Sequence, residues 1–207
     1  MFISFEGGEG CGKTTQIALL HDWLTSLGHP VIQTREPGGT ALGQALRTLL
    51  LDPRSELGST SELLLYAADR AEHVERVVRP ALTAGRIVLC DRFSDSTVAY
   101  QGYGRRLDLA LIERLNRIAT GGLTPDLTFW LKLDARTGLE RRRDPDRFEA
   151  ESLAFHRRIE AGFAELALRH PERIRLIDAS LSVEQTARQI RDIVDKFLNK
   201  NQSKLRE

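Results

Sequence analysis

The sequence has little of what marks a secreted or membrane-bound chain. Only two of its 207 residues are cysteines, Cys11 and Cys90, and two isolated thiols provide neither a disulfide framework nor the spacing of a zinc site. No apolar stretch approaches the roughly 20 residues that span a bilayer. The chain opens on a strand-like pattern rather than on a signal peptide. From these absences we expect a soluble, cytoplasmic protein whose thiols are reduced and packed.

An excess of charge of either sign is also missing. The chain has 30 Lys and Arg against 29 Asp and Glu, a net charge of +1. Because no long-range field of one sign arises, the composition argues against nucleic acid or a membrane surface as a partner. Any bound phosphate must therefore be met by locally placed basic side chains. The five histidines follow no metal-binding spacing.

The first fifteen residues contain a phosphate-binding motif. A β-prone run, FISF, is followed by GGEGCGKTT, which satisfies G-x-x-x-x-G-K-[ST]. Glycines allow the backbone to curl so that successive N–H groups face one anion, and the first turn of the following helix adds partial positive charge. The lysine contributes a point charge, and the threonine hydroxyl can hold Mg²⁺. The motif predicts a nucleoside-triphosphate site formed by Gly7, Gly8, Glu9, Gly10, Cys11, Gly12, Lys13, Thr14 and Thr15.

Strand-like and helix-like segments alternate along the chain. Apolar runs predict five strands, at 2–5, 31–34, 86–91, 127–133 and 174–177. Helical periodicity predicts helices at 14–27, 41–51, 61–84, 93–103, 107–120, 135–142, 149–169 and 183–198. Pro80 is expected to kink or divide the longest of them. This order predicts one α/β domain over 1–198 with the P-loop NTPase fold, a five-stranded parallel sheet with helices on both faces. Residues 199–207 are expected to form a disordered polar tail.

Several features separate this chain from other proteins that carry such a loop. The DxxG and N-K-x-D patterns by which GTPases recognise guanine nucleotides are missing. Asp91 ends the third predicted strand, but Arg92 follows it instead of the second carboxylate with which motor ATPases activate water. An arginine there suits transfer between two phosphorylated nucleotides, because it screens their charges. The arginine-rich stretch at 141–150 predicts a short lid that excludes water.

With these motifs the chain resembles the bacterial thymidylate kinase family over 1–198. The resemblance rests on FEGGEGCGKTT, TREPGGT, YAADRAEH, DRFSDSTVAYQG, PDLTFWL, DRFE and IDA, in that order. It implies Mg²⁺-dependent transfer of a phosphoryl group from ATP to dTMP, which gives dTDP for dTTP synthesis. It also implies a homodimer, for which the helices at 41–51 and 61–84 are the candidate surface.

The resemblance implies a role for each of several residues. The implied catalytic residues are Lys13, Arg92, Asp91 and Arg147, with Arg142 and Arg143 as alternates to Arg147. Thr14 and Asp91 are the implied Mg²⁺ ligands. Arg141 is implied to lie against adenine. The implied dTMP-binding residues are Glu9 at the 3′-hydroxyl, Arg35, Arg47 and Arg92 at the phosphate, Tyr66 stacked on thymine, Arg70 at O4, Thr97 and Gln101 at the pyrimidine edge, and Tyr100 beside the sugar.

Several alternatives stay open at this point. Tyr100 is equally explained as a packing residue, and Arg142 and Arg143 as solvated loop residues. Tyr66 stands where the family usually has Phe, so its hydroxyl needs a partner. Two rival functions are a deoxynucleoside kinase, which needs a carboxylate base near the 5′-hydroxyl, and a P-loop binding protein without rapid transfer.

Overall fold

The computed structural model describes residues 1–141 and 146–204, with side chains to residue 199. Its strands form one five-stranded sheet in the order β2-β3-β1-β4-β5, and every neighbouring pair is parallel. The strands are β1 (Phe2–Glu6), β2 (Val31–Arg35), β3 (Ile87–Asp91), β4 (Leu127–Lys132) and β5 (Ile174–Asp178). The predicted all-parallel sheet is thus confirmed.

Helices connect successive strands, and one more helix follows the last strand. They are α1 (Lys13–Ser26), α2 (Ala41–Leu51), α3 (Ser59–His73), α4 (Arg79–Thr83), α5 (Ser94–Thr97), α6 (Leu109–Thr120), α7 (Ala135–Glu140), α8 (Leu153–Arg169) and α9 (Val183–Lys204). Two π-helical segments, Val74–Val78 and Val98–Gly104, follow α3 and α5. None of the helices in the described part of the chain combines the length and the hydropathy needed to cross a membrane.

The two faces of the sheet carry separate apolar layers, because successive residues of a strand point to opposite sides. Ile3 and Phe5 of β1 pack with Leu20 of α1 and with α9 on one face. Phe2 packs with the first π-helical segment on the other face, and Trp130 of β4 stacks on α8 there. Burying each large apolar side chain stabilises the fold by about 1.5–3 kcal/mol. Helices therefore cover both faces, as predicted.

The long helix predicted at 61–84 is divided, but upstream of Pro80. The chain leaves α3 at His73, widens into the π-helical segment Val74–Val78, and resumes as α4 with Pro80 in its first turn. A proline has no N–H to donate, and in the first turn of a helix that donor is not needed. The break therefore falls before the proline rather than at it.

The last two helices also differ from their predicted bounds. Helix α8 begins at Leu153 rather than at 149, because the Ser152 hydroxyl caps it by accepting from the backbone N–H of Phe155. Helix α9 continues to Lys204, so part of the segment predicted as a disordered tail has helical backbone. Cys11 and Cys90 are both buried and free, as expected of packing thiols.

Candidate active site

Left-handed glycines wind the loop between β1 and α1. Gly7, Gly10 and Gly12 have φ angles of 141°, 64° and 89°, which residues with a Cβ rarely adopt. The Lys13 amino group lies inside the turn, where it donates to the carbonyl oxygens of Gly8 at 2.9 Å and Gly7 at 3.3 Å. The loop thus holds the charged amino group of Lys13 on two of its own carbonyl oxygens. Phosphate oxygens can replace these carbonyl oxygens when a nucleotide binds.

The loop also touches α7 backbone to backbone. A Cβ built on Gly10 would lie 2.2 Å from the carbonyl oxygen of Gly138, and one built on Gly138 would lie 2.3 Å from that of Glu9. Both separations are well inside van der Waals contact, so neither position has room for a side chain. Arg141, directly after α7, donates to the carbonyl oxygen of Gly10 at 3.1 Å. This contact anchors the start of the predicted lid to the loop.

We expect Gly138→Ala to raise the KM for ATP by roughly tenfold, because the added methyl group must displace the loop that positions the nucleotide. Steady-state kinetics with varied ATP measure this change. Gly58→Ala is the matched control, since a Cβ there meets nothing within 4 Å. Equal KM values in the two variants would contradict the importance of the contact.

The carboxyl end of β3 brings Asp91 to the start of α1. Its Oδ2 accepts from the Thr14 hydroxyl at 3.4 Å, and its Oδ1 is buried without a hydrogen-bond partner. A buried carboxylate oxygen without a partner destabilises the fold unless a donor or a cation binds it. A carboxylate and a hydroxyl that share a site with phosphates suit Mg²⁺, so this pair fits the predicted metal position.

Arg92 follows Asp91 with a left-handed backbone, at a φ of 70°, which is uncommon for a residue with a side chain. Its N–H donates to the carbonyl oxygen of Phe5 at 3.0 Å, and its guanidinium donates to that of Gly7 at 2.9 Å. The guanidinium carbon lies 4.9 Å from the ring centre of Tyr100. The turn after β3 therefore directs Arg92 onto the phosphate loop.

Glu9 holds Arg92 there. Its Oε1 accepts from Arg92 Nη2 and from the hydroxyl of Tyr100, both at 2.6 Å. Burial alone would raise the pKa of Glu9, but the charges of Arg92 and Lys13, with the tyrosine hydrogen bond, lower it to about 2. Burial also raises the pKa of Tyr100, so its hydroxyl remains a donor. The three side chains form one ionised, hydrogen-bonded group at neutral pH.

This lowered pKa predicts how stability changes in acid. A carboxyl group whose pKa falls from 4.5 to about 2 on folding contributes about 3 kcal/mol, present in full above pH 4.5 and lost as the pH falls towards 2. Wild type should therefore exceed Glu9→Gln in unfolding free energy at pH 6, and the difference should vanish near pH 2. Urea unfolding at intervals across this range measures it.

The control for this experiment is Glu165→Gln, which removes an exposed pair with Arg169. Exposed pairs of this kind contribute about 0–1 kcal/mol, so this variant should follow the wild-type pH curve closely. A Glu9→Gln difference that stays constant with pH would contradict the assignment of the proton to Glu9.

Arg70 lies in a second polar cluster beside the loop. It is only 1% exposed, and its Nε donates to Glu36 Oε2 at 2.8 Å. Its Nη1 donates to Thr97 Oγ1 at 2.8 Å and to Asn116 Oδ1 at 2.7 Å. Glu36 is held from its other side by His73 at 2.8 Å. The guanidinium is thus fixed in one orientation by three elements of the fold.

Gln101 and Tyr66 complete this cluster. Gln101 Nε2 donates to Glu62 Oε1 at 2.8 Å. Tyr66 is half-buried, with its ring centre 6.2 Å from that of Phe148, and burial beside Glu62 raises its pKa. Within the described residues its hydroxyl has no hydrogen-bond partner. A flat ring and an amide therefore lie near Arg70, a set suited to a planar heterocycle.

Two further predicted arginines flank the cavity at the end of β2. Arg47 Nη1 donates to the carbonyl oxygen of Pro37 at 3.0 Å. Burial lowers the pKa of Arg47, and repulsion from Arg35 lowers it further. An arginine nevertheless remains charged. Both are placed to meet an anion.

The structure does not place Arg147 with the other catalytic candidates. Its Nη1 lies 2.7 Å from Glu62 Oε2, its Nε donates to the carbonyl oxygen of Leu50 at 2.8 Å, and it does not line the cavity. Its catalytic role therefore stays a prediction that requires it to leave these partners. The alternates Arg142 and Arg143 lie outside the described residues.

The sequence-based reasoning missed the buried acceptors that hold the predicted residues. Glu62, Asp69 and Asn116 were not singled out, yet Glu62 receives Gln101 and Asn116 receives Arg70. Asp69 Oδ1 accepts from the N–H of Gly38 at 3.1 Å. A signal was available for Glu62, which lies one helical turn before Tyr66.

A single cavity of about 410 Å³ joins the two clusters at the carboxyl ends of the strands, where parallel sheets bind ligands. It is lined by Glu9, Gly10, Cys11, Gly12, Lys13, Thr14, Thr15, Arg35, Arg47, Tyr66, Arg70, Asp91, Arg92, Thr97, Tyr100, Gln101 and Arg141. A P-loop fold in which several arginines and the polar cluster around Arg70 face one cavity is typical of a nucleotide kinase. Residues 5–190 match the family model described as Thymidylate kinase. The chain belongs to the thymidylate kinase family.

Individual relatives agree with this. The chain is 71% identical over 210 residues to a thymidylate kinase of Gloeobacter violaceus, with 99% of each chain covered. It is 53% identical to a thymidylate kinase of Nostoc sp. strain PCC 7120, covering 95% of this chain and 96% of the relative. Its fold matches a crystal structure of thymidylate kinase from Ehrlichia chaffeensis with a TM-score of 0.79 at 35% identity, covering 94% and 98% of the two chains. The predicted fold, enzyme class and ATP-dependent phosphorylation of dTMP are confirmed.

Proposed function

We propose that the chain transfers the γ-phosphoryl group of ATP in line to the 5′-phosphate of dTMP, and that the residues lining the cavity act as follows. One observation carries the proposal: Arg92 donates to the Gly7 carbonyl oxygen of the phosphate loop and lines the same cavity as Arg35 and Arg47. An acceptor phosphate is already ionised at neutral pH, so the reaction needs positioning and charge neutralisation rather than a general base.

The donor end of the cavity is the phosphate loop. The amino group of Lys13 would exchange the carbonyl oxygens of Gly7 and Gly8 for oxygens of the β- and γ-phosphates. The backbone N–H groups and the first turn of α1 add partial positive charge there. Arg141, bonded to Gly10, lies at the outer rim of the loop, where the adenine would rest.

The acceptor end is the cluster around Arg70. The Arg70 guanidinium would donate to O4 of thymine, Thr97 and Gln101 would meet the rest of the imide edge, and Tyr66 would stack on the ring. Arg35 and Arg47 would bind the acceptor phosphate. Glu9 would accept from the 3′-hydroxyl, with Tyr100 beside the sugar, and Arg92 would then bridge the acceptor phosphate and the transferred group.

Mg²⁺ fits beside the loop. Asp91 and Thr14 would hold it, because Asp91 Oδ1 is a buried acceptor without a partner next to the Thr14 hydroxyl. In residues 1–141 and 146–199, no cluster of three or more metal-ligating side chains occurs, which suits a cation that takes its other ligands from phosphates and water. When bound, the ion neutralises charge on the transferring phosphates.

An ADP-release assay with five acceptor conditions tests this function. Wild-type protein is supplied with ATP, Mg²⁺ and either dTMP, thymidine, dUMP, dCMP or no acceptor. We expect fast turnover with dTMP and little with thymidine or without acceptor. A faster rate with thymidine would support a deoxynucleoside kinase, and a rate independent of the acceptor would leave only a nucleotide-binding protein or an ATPase.

We also propose that the protein acts as a cytoplasmic homodimer. Leucines 42, 49 and 64 on α2 and α3 are 47%, 43% and 51% exposed, although the two helices pack side by side. Such apolar patches suit a self-association surface. Light scattering should show that Leu64→Glu is a monomer, while Leu168→Glu, which alters a leucine that is 78% exposed on α8, should match the wild type. A monomeric wild type would contradict the dimer.

A further inference from the structure

Glu62 is a buried carboxylate that the proposed chemistry does not use. It lies in the first turn of α3 and is 0% exposed. Arg105 donates to its two oxygens at 3.2 Å and 3.1 Å, and Arg147 Nη1 lies 2.7 Å from Oε2. Gln101 Nε2 donates to Oε1 at 2.8 Å. Arginine groups can only donate, so both oxygens of Glu62 act as acceptors.

An acceptor-only partner decides which way the Gln101 amide faces. The two ends of an amide are nearly the same in shape, but one donates and the other accepts. Because Glu62 can only accept, it must receive the nitrogen, and the amide oxygen is then left for the cavity that Gln101 lines. Within the described residues, Gln101 Oε1 has no hydrogen-bond partner and is not fully enclosed.

The neighbouring groups complete a fixed pattern. Arg70 can only donate. Thr97 Oγ1 accepts from Arg70 at 2.8 Å, so its hydroxyl hydrogen is free to donate. The cavity lining thus offers two groups that can donate and one amide oxygen that accepts. A pyrimidine imide complements this set with two carbonyl oxygens and one N3–H, whereas cytosine has one carbonyl oxygen and an N3 that accepts.

We propose that Glu62 is a positioning residue that sets base specificity by locking the Gln101 amide with its oxygen towards the base. This inference rests on the proposed function, since it assigns the base to this cluster. If Glu62 served only to pair the two arginines, its contact with Gln101 would be unexplained. Each arginine also has a second partner: Arg105 pairs with Glu151, and Arg147 donates to the carbonyl oxygen of Leu50. Gln101 Nε2 has Glu62 as its partner among the described residues.

The test is kcat/KM for dTMP, dUMP and dCMP in wild type and Glu62→Gln. A glutamine at 62 can donate as well as accept, so the Gln101 amide can reverse. We expect the dTMP/dCMP ratio to fall by roughly tenfold or more, mainly through KM, because a site built for one hydrogen-bond pattern no longer rejects the other. The dTMP/dUMP ratio should stay constant, since both bases present N3–H. Glu151→Gln, which removes the second partner of Arg105 without touching Gln101, should keep the wild-type dTMP/dCMP ratio.

The outcomes are distinct. If the wild type does not phosphorylate dTMP, the proposed function is wrong, and this result is distinct from those that overturn the role of Glu62. A folded Glu62→Gln that loses activity on all three acceptors in proportion, or on none, overturns the positioning role. If circular dichroism shows that Glu62→Gln does not fold, Glu62→Asp is compared in wild-type and Gln101→Leu backgrounds. We expect it to lower the dTMP/dCMP ratio only where Gln101 is present; the same change in both backgrounds overturns the inference.

Discussion

Arg92→Ala is expected to lower kcat for dTMP phosphorylation by on the order of 10³-fold, because an arginine that neutralises charge between two phosphates contributes about that much or more to phosphoryl transfer. The side chain is already held against the loop by the Gly7 carbonyl oxygen and by Glu9. Little reorganisation is then needed when both nucleotides bind, so its loss should appear in kcat. ATP affinity should change little, since Lys13 and the loop backbone remain.

The measurements for this variant are the coupled ADP-release rate and equilibrium binding of ATP. Arg106→Ala is a matched control, because Arg106 is the other left-handed residue with a side chain in the described chain, at a φ of 61°, and is exposed outside the cavity. It should retain wild-type kcat. Near-normal turnover in Arg92→Ala would remove Arg92 from the mechanism.

Lys13→Met should lower kcat/KM for ATP by on the order of 10²- to 10³-fold, because fixed positive charge at a developing anion is among the larger contributions to catalysis. Methionine keeps the length of the side chain but removes the charge and the donors to Gly7 and Gly8. The loss should therefore appear in both ATP binding and turnover, unlike that of Arg92→Ala.

Lys132→Met is the control for this charge. Lys132 ends β4, is exposed, and has its amino group 5.9 Å from the ring centre of Trp130, outside the cavity. Titration with ATP and steady-state kinetics should leave that variant unchanged. Unaltered ATP binding in Lys13→Met would show that the loop backbone alone holds the phosphates.

The loop and the sheet were predictable because their signals are local. The phosphate motif lies within one short stretch whose glycines have left-handed backbone angles, and the three central strands, β1, β3 and β4, are nearly continuous buried runs. Asp91 and Arg92 were predicted as a pair because Asp91 ends the third strand and Arg92 follows it directly. The position of Arg92 on the loop was also deducible, since parallel strands end at the same edge.

Contacts between residues that are distant along the chain could not be predicted from the sequence. Arg92 adopts its left-handed backbone while donating to Phe5, which belongs to another strand. Arg147 was assigned to a lid by composition, but Glu62 on α3 binds it. Periodicity finds which face of a helix is apolar, and it does not say which buried carboxylate will meet which arginine.

The backbone contact between Gly10 and Gly138 restricts how this enzyme can be engineered. Randomising either position alone and selecting for wild-type activity should return mainly glycine, because the obstacle is a backbone carbonyl group rather than a flexible side chain. The two glycines therefore constrain each other, although 128 positions separate them along the chain.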